Sequence, residues 1–562
     1  MTGVCRVVPD VTAVDRAFDY RLDDDLPLGT IVRVGLQGRR VRGWVVDLDV
    51  DPEGREVLPI IGAVSAGPPA DVVGLTAWTA RRWAGPRVAV LRSASAPNNV
   101  PLGAAPRPRR IEPSGPGHET VVRIPPLVDR LDFALDACAA VGSTVLCVAD
   151  AGRARNLAER LARNGKRVAL LHSAASDAER TTAWRRAAAG DCVVVGGRIA
   201  ALAPVPDLAA AVVFDDADEA LQEERAPTWH ARDVLRERAV RLGVPFSVCS
   251  AAPTVDALAV AATPVTAPTR DEERHGWPRV RVVDRGAEPP GAGLLTESLA
   301  EALHAANGPA VCVLNRRGRF RLLACATGAH LIRWDPDADR PLVCPECGSS
   351  RPRLIRAGVT RIAEELAALL PGRTVVDVDA ATEATTGADV YIGTEAVLHR
   401  TAVRRSRPAL VAYLDLDQEL LAPRYRAAAQ AHWLVTRGAQ LLAGRPRSET
   451  LLLVQTRIPD HVVVRALVDG DPAQVAAAEA ETRRILGYPP FGGLAELQGD
   501  DEPLAVAAAA ATGLGLRVFG PDGGRALVHA VDWDDLGAAL GPAVAAGRAV
   551  GRVRAAVDPP RV

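Results

Sequence analysis

The stretch VVVGGRIAALAPVPDLAAAVVFDDADEALQEERAPTWHARD, Val193 to Asp233, carries the reading of the fold. It contains two strand-like runs, VVV and AAVVF, that are apolar throughout, as expected of strands covered on both faces. The second run ends in Asp215, Asp216 and Asp218, acidic residues at the carboxyl end of a buried strand. Outward from it the pattern repeats. TVLCVAD and RVALLHS lie upstream and PFSVCSA downstream, separated by amphipathic segments rich in Ala and Arg. Strand and helix alternating at this spacing predict a parallel sheet with helices on both faces. A second series, PAVCVLN, RTVVDVD, DVYIGT and ALVAYLDLD, predicts a second lobe of the same kind.

The flanks read differently. From Val4 to about Ile61, CRVVPDV, AFDYRL and GTIVRVGLQGRRVRGWVVDL are short β-branched runs with period-two alternation, broken by Gly and Asp, which predict a small β-rich domain. PNNVPLGAAPRPRRIEPSGPG, Pro97 to Gly117, is dense in Pro and Gly and suits a linker. After RRILGYPPFG the chain mixes Ala-rich helix with short strands, as in an α+β domain. The expected order is a β-rich domain over 1–96, a linker over 97–120, a first lobe over 121–268, a second lobe over 269–460 with a cysteine-containing insert over 320–357, and a C-terminal domain over 461–562.

At 562 residues the chain is too long for one core. Its composition, 48% hydrophobic and 24% charged, excludes a disordered polymer. No run approaches the roughly 20 apolar residues of a membrane span, and Met1 to Asp10 lacks a basic region followed by an apolar one, so a cytoplasmic protein is expected. The nine cysteines are scattered apart from Cys344 and Cys347, which argues against a disulfide framework and leaves a metal site open. With 67 basic and 68 acidic residues there is no global field for nucleic acid, so any such contact must come from local patches. Lys166 is the only lysine.

Several motifs, in order, resemble the PriA family of replication-restart proteins. Gln222, Glu223, Glu224, Pro227, His230, Ala231, Arg232 and Asp233 stand at the spacing of the segment that follows that family's Asp-Glu-Glu-His motif. SAAPT (Ser250 to Thr254) resembles helicase motif III, NRRGRF (Asn315 to Phe320) the entry to a cysteine-rich insert, and CPECG (Cys344 to Gly348) its end. YIGTEAV (Tyr391 to Val397) and LDLD (Leu414 to Asp417) resemble second-lobe strands, LGYPPFG (Leu486 to Gly492) a family signature, and RAFDYRL (Arg16 to Leu22) with Gly38 the domain that captures a 3′ end. No segment resembles the family's winged-helix domain. The resemblance implies a multidomain α/β protein with two helicase-like, RecA-like lobes, an N-terminal β domain, a degenerate zinc-binding insert and a C-terminal α+β domain.

The same comparison exposes departures at the motor. A phosphate loop needs a glycine-rich turn, a Lys for the β/γ charge and a Ser or Thr hydroxyl for Mg²⁺. In its place stands VVRIPPLVDR, Val121 to Arg130, with no Gly or Lys and two prolines. Lys166, in RNGKRVAL, lies after a helix and before a strand, the wrong polarity for such a loop. Asp215 occupies the position of the family's Mg²⁺ ligand, Asp216 that of the catalytic Glu and Asp218 that of His, although acidic residues here can equally cap the next helix. TRGAQLLAGRPR offers Arg437, Arg445 and Arg447 for an arginine finger. ATP turnover, and the Mg²⁺ that would support it, are therefore not expected.

The family's insert carries four CxxC pairs for two zinc ions; this chain keeps Cys325, Cys344 and Cys347, with His330 as a candidate fourth ligand, so at most one zinc is expected. For DNA, the resemblance implies a terminal-base pocket from Phe18, Asp19, Tyr20 and Gly38, the aromatics stacking and Asp19 accepting from the 3′ hydroxyl, with Phe18 and Tyr20 as core residues the competing reading. Backbone contacts are expected from Arg39, Arg40 and Arg42, from Arg107, Arg109 and Arg110, and from Arg316, Arg317, Arg319 and Arg321. Three functions follow. The first is a non-motor factor, cytoplasmic and nucleoid-associated, that binds forks and free 3′ ends and meets primosome and single-strand-binding proteins. The second is an ATP-dependent 3′-to-5′ helicase with Arg123 or Arg130 replacing the lysine. The third is an interaction scaffold with weak DNA affinity.

Overall fold

A computed structural model describes the chain except for residues 1–2, 13, 15, 23–24, 53–55, 105–117, 140, 261–264, 289–292, 316–320, 326–330, 335–343, 345–346, 348–351, 357–358 and 379–386. It divides into two units, one formed by residues 1–123, 130–266 and 480–562 and the other by 124–129 and 267–479. Among the described residues no helix is long and apolar enough to cross a membrane.

The first unit begins with strands β1 (Gly3–Pro9), β2 (Phe18–Leu22), β3 (Ile31–Leu36), β4 (Arg39–Asp47) and β5 (Gly62–Ser65), in the antiparallel order β2-β1-β4-β3-β5. Gln37 and Gly38 close the β3–β4 hairpin with φ of 46° and 74°. Two positive φ values make a turn whose twist matches the flanking strands, and glycine adopts the second without strain. Residues 58–61 reach both sides of the sheet: Arg21 N donates to Leu58 O, Ile60 N to Arg21 O and Ile61 N to Arg33 O. The sheet thereby closes on itself around Cys5, Val7, Tyr20, Val32, Val34 and Val45. Two helices, Ala70–Arg82 and Arg87–Ala94, complete this region, and the second covers the outer face at Val8, Ile31 and Trp44.

The first lobe has strands β6 (Glu119–Arg123), β7 (Ser143–Val148), β8 (Val168–Leu171), β9 (Val193–Gly196), β10 (Leu208–Phe214) and β11 (Phe246–Ser250), all parallel, in the order β6-β11-β10-β7-β9-β8. Every residue of β7 and β9 is buried, which accounts for their unbroken apolar sequence. In the second unit, β12 (Arg279–Asp284), β13 (Ala310–Val313), β17 (Val375–Val378), β18 (Val390–Gly393), β19 (Leu410–Tyr413) and β20 (Leu451–Thr456) form a parallel sheet in the order β12-β20-β19-β13-β18-β17. Counted within each lobe, both sheets run 1-6-5-2-4-3, so the two lobes share one winding. Between β13 and β17 a small antiparallel sheet holds β14 (Arg321–Cys325), β15 (Leu331–Trp334) and β16 (Pro352–Arg356).

The C-terminal sheet, β21 (Gly493–Gly499), β22 (Arg517–Asp522), β23 (Arg525–Ala530) and β24 (Val553–Val557), is antiparallel in the order β22-β23-β21-β24. Helices Asp501–Gly513 and Trp533–Val550 pack on it, and their apolar faces join one core with the first lobe and helix Ala70–Arg82.

Candidate functional site

The carboxyl end of β10 places the acidic cluster. Asp215 follows Phe214 with φ of 52°, a left-handed conformation that Asp tolerates better than most residues, and its N–H donates to Cys249 O at the end of β11. Its carboxylate is clamped: Arg130 Nη2 donates to Oδ1 and Arg153 Nη1 to Oδ2, each at 2.9 Å, and the Asp215 side chain is 5% exposed. Arg130 precedes helix Leu131–Asp136 and Arg153 lies in the first turn of helix Ala151–Arg163, capped by Asp150, whose Oδ1 accepts from Arg153 N. Two guanidinium groups thus stand where a divalent cation would be ligated. Both carboxylate oxygens already accept charge-assisted bonds from guanidinium groups, a donor set that does not fit Mg²⁺.

Asp216 points elsewhere. Its Oδ2 accepts from Thr254, through a short hydroxyl bond and through the backbone N–H at 3.3 Å, and lies 3.6 Å from Arg232 Nη1. Oδ1 is buried with no hydrogen-bond partner among the described residues. Burial pushes the Asp216 carboxyl up to about 6, against the pull of Arg232 and Thr254. Burial works against the charge of Arg232 as well, but Asp233, Asp256 and Asp216 outweigh it and hold the guanidinium ionised; Asp233 accepts from its Nε and Nη2. Asp218 accepts from Ala220 N and caps the short helix Glu219–Leu221, the structural role that acidic residues at this position can take.

Residues 124–129, in the place of a phosphate loop, pack within the second unit, where Leu127 N donates to Gly276 O at 3.0 Å. Pro125 lies so close that a Cβ on Gly276 would fall 2.3 Å from its ring. No sequence signal announces this packing. Lys166 sits in the turn between helix Ala151–Arg163 and β8, its N–H donating to Leu161 O. Of the three finger candidates, Arg437 is buried against Gln440, Arg445 donates to Arg407 O and Asn307 O, and Arg447, exposed, donates to Trp277 O.

Sequence reasoning missed what anchors the segment after the acidic cluster. Gln222 Nε2 donates to Asp558 O and Thr228 Oγ1 to Val557 O, while Val557 N returns a bond to Thr228 Oγ1. Gln222 and Thr228 stand in the quoted motif, but only the fold brings β24 to them.

In the N-terminal domain the expected pocket residues separate. Tyr20 is 3% exposed, inside the closed sheet, and its hydroxyl donates to Gly35 O at 2.9 Å, so it offers no face to a base; the stacking role is corrected to a core role. Phe18 is partly exposed, with the Arg16 guanidinium 4.6 Å from its ring centroid. Asp19 accepts from Arg6 Nε at 2.9 Å. Gly38 sits at the hairpin turn, where a Cβ would meet no other atom, followed by exposed Arg39 and Arg40. Arg107, Arg109, Arg110, Arg316, Arg317 and Arg319 lie outside the described residues, and of Arg321 only the backbone, in β14, is described.

In the insert, β14 pairs Cys325 with Pro352 of β16; Cys344 is buried and Cys347 exposed just before that strand. His330 lies outside the described residues.

Residues 6–96 match the family described as the 3′DNA-binding domain (3′BD) of PriA. A replication restart protein PriA of Bacillus subtilis is 27% identical over 394 residues, covering 62% of this chain and 48% of that one, and one of Treponema pallidum is 30% identical over 380, covering 60% and 56%. A probable replication restart protein PriA of Mycobacterium tuberculosis is 28% identical over 575 residues, covering 87% of this chain and 85% of that one.

The chain is similar to PriA proteins. It spans about half the length of the Bacillus and Treponema members and most of the mycobacterial one. A DEAD box protein of Methanococcus jannaschii has a TM-score of 0.31 at 10% identity, covering 62% of this chain and 85% of that one. Dbp5 of S. cerevisiae bound to RNA and ADP BeF3 has 0.35 at 10%, covering 66% and 89%.

Proposed function

We propose that this chain is a cytoplasmic, nucleoid-associated replication-restart factor of the PriA type that recognises branched DNA with free 3′ ends and helps assemble the primosome, without an ATP-driven motor. One observation carries the non-motor part: the two oxygens of Asp215 are held by Arg130 and Arg153. Arg130, the candidate to replace the missing lysine, cannot turn to a phosphate without abandoning a buried carboxylate. A lone phosphate-loop arginine is in any case a poor copy of a compact ammonium. The match of residues 6–96 to a 3′DNA-binding domain supports the DNA-end reading. One zinc ion held by Cys325, Cys344 and Cys347 is part of the proposal: three cysteines are a donor set suited to that ion, which would brace the insert. Primosome and single-strand-binding proteins are the proposed partners.

The test is titration of a labelled fork with a free 3′ leading end, with and without ATP, at two salt concentrations, while phosphate release is followed. Salt-sensitive binding, unchanged by ATP and without phosphate release, is expected. Unwinding stimulated by ATP would overturn the non-motor reading, and the absence of salt-sensitive fork binding would favour the scaffold.

A further inference from the structure

The outer face of the closed N-terminal sheet carries a group of arginines that the fold itself leaves uncompensated. In the β3–β4 register Arg33 faces Arg42, and two residues further along Gly35 faces Arg40. Alternation along a strand puts all four on one face. Toward the interior of the domain this face is sealed, because the Ile31–Trp44 row is covered by Val88 and Leu91. Beyond that row it opens: Arg33 and Arg40 are exposed and Arg42 is partly so.

Three features set these arginines apart from most others in the chain. Their side chains make no hydrogen bond or ion pair with any described residue, whereas Arg6, Arg92, Arg130, Arg153, Arg198, Arg232, Arg238 and Arg483 each meet a carboxylate. The nearest acid by backbone, Asp10, whose N–H donates to Arg42 O, gives its carboxylate to Arg92 at 2.6 Å instead. Like charges directly opposite on paired strands are unfavourable unless something else neutralises them.

The second feature is the absence of bulk. Arg33 is flanked by Arg42 on one side and by Gly62 of β5 on the other, and Arg40 is flanked by Gly35. A Cβ built on Gly35 or Gly62 would meet no atom. The guanidinium groups are therefore flanked by positions without side chains, which a rigid polyanion can approach closely. The third feature is spacing. Arg40 and Arg42 are two strand residues apart, roughly 7 Å, which is close to the separation of neighbouring phosphates on one nucleic-acid strand.

We propose that Arg33, Arg40 and Arg42 form a phosphate track for the double-stranded arm of a DNA substrate, separate from any pocket for its terminal nucleotide. This rests on the reading of the domain as a DNA-end binder and adds to it a site that needs no end. A duplex is favoured over a single strand because single-strand platforms stack bases on aromatic rings, and the one aromatic residue in these rows, Trp44, is buried with its indole N–H donating to Ser95 Oγ.

The experiment uses the full chain and a duplex capped by hairpin loops at both ends, so that no 3′ hydroxyl exists, with affinity measured over a series of salt concentrations. The wild-type protein should bind it. The triple variant Arg33→Ser, Arg40→Ser, Arg42→Ser should bind it on the order of tenfold to a hundredfold more weakly at low salt, with the slope of log affinity against log salt shallower by about 2 to 3. Arg33→Lys, Arg40→Lys, Arg42→Lys should keep the slope, and all forms should melt at the same temperature because these side chains support no packing. An unchanged slope for the capped duplex in the serine variant, or a change confined to single strands, would overturn the track. The double variant Phe18→Ala, Asp19→Ala separates the two readings. It should weaken only substrates with a free 3′ end, and if it has no effect the end pocket fails while the track stands.

Discussion

Arg483 and Asp256, 227 positions apart in sequence, form a buried ion pair with Nη1 3.0 Å from Oδ2. Arg483 lies in helix Ala473–Leu486, just before the LGYPPFG motif, and also donates to Pro489 O; Asp256 lies in the helix that follows the SAAPT motif. The pair fastens the C-terminal segment to the first lobe beside the Asp216–Arg232 cluster, because Asp256 also supports the charge of Arg232.

Removing either partner strands a buried charge. Arg483→Ala or Asp256→Ala should each destabilise the first unit by about 3 kcal/mol or more, while the double variant should lose less than the sum of the two. Calorimetric unfolding of the single and double variants measures the coupling; strictly additive losses would show that the pair does not act as one.

The Asp215 clamp predicts a second asymmetry. Asp215→Asn leaves Arg130 and Arg153 facing a neutral amide in a largely buried setting, and a loss of about 2 to 4 kcal/mol is expected. Adding Mg²⁺ should leave the unfolding temperature of the wild-type protein unchanged, since an ion that binds only the folded state must raise it. A magnesium-dependent rise would mean that the carboxylate exchanges its arginines for metal.

The second unit should carry a pH-dependent stability from His432. Burial lowers its imidazole from 6.5 to about 4, and the ring stacks on Trp277 at 6.1 Å. The folded state therefore prefers the neutral ring. Its stabilisation is complete above the unfolded value of 6.5 and is lost as pH falls toward 4, by about 3 kcal/mol in all. His432→Phe keeps an aromatic ring against Trp277 without a titrating group. Denaturant unfolding between pH 7 and 4 should give a steep decline for the wild-type unit and a flatter one for the variant.

The parallel lobes were legible because burial on both faces demands unbroken apolar runs, as in β7 and β9, and these runs alternate with amphipathic segments. The acidic cluster was legible for the same reason, since Asp215 follows directly on such a run. Helices Ala70–Arg82 and Arg87–Ala94 went unread in a region taken as β-rich: they bury Val72, Leu75 and Val90 against neighbours that local pattern does not reveal. Tyr20 shows the limit at the level of one side chain. A strand tyrosine beside Asp19 can face a base or the interior, and only closure of the sheet, which brings Gly35 O within 2.9 Å of its hydroxyl, places it inside.

By itself, then, the sequence determined that two wound lobes form and that no glycine-and-lysine loop is available to hold a triphosphate, because both are properties of contiguous residues. Tertiary structure decided which charges meet: Arg130 and Arg153 come to Asp215 from 85 and 62 positions away, while Arg33 and Arg42 are brought side by side with no acid between them. Ion pairing depends on distances of a few ångströms between segments remote in the chain, and that information exists only once the strands are ordered.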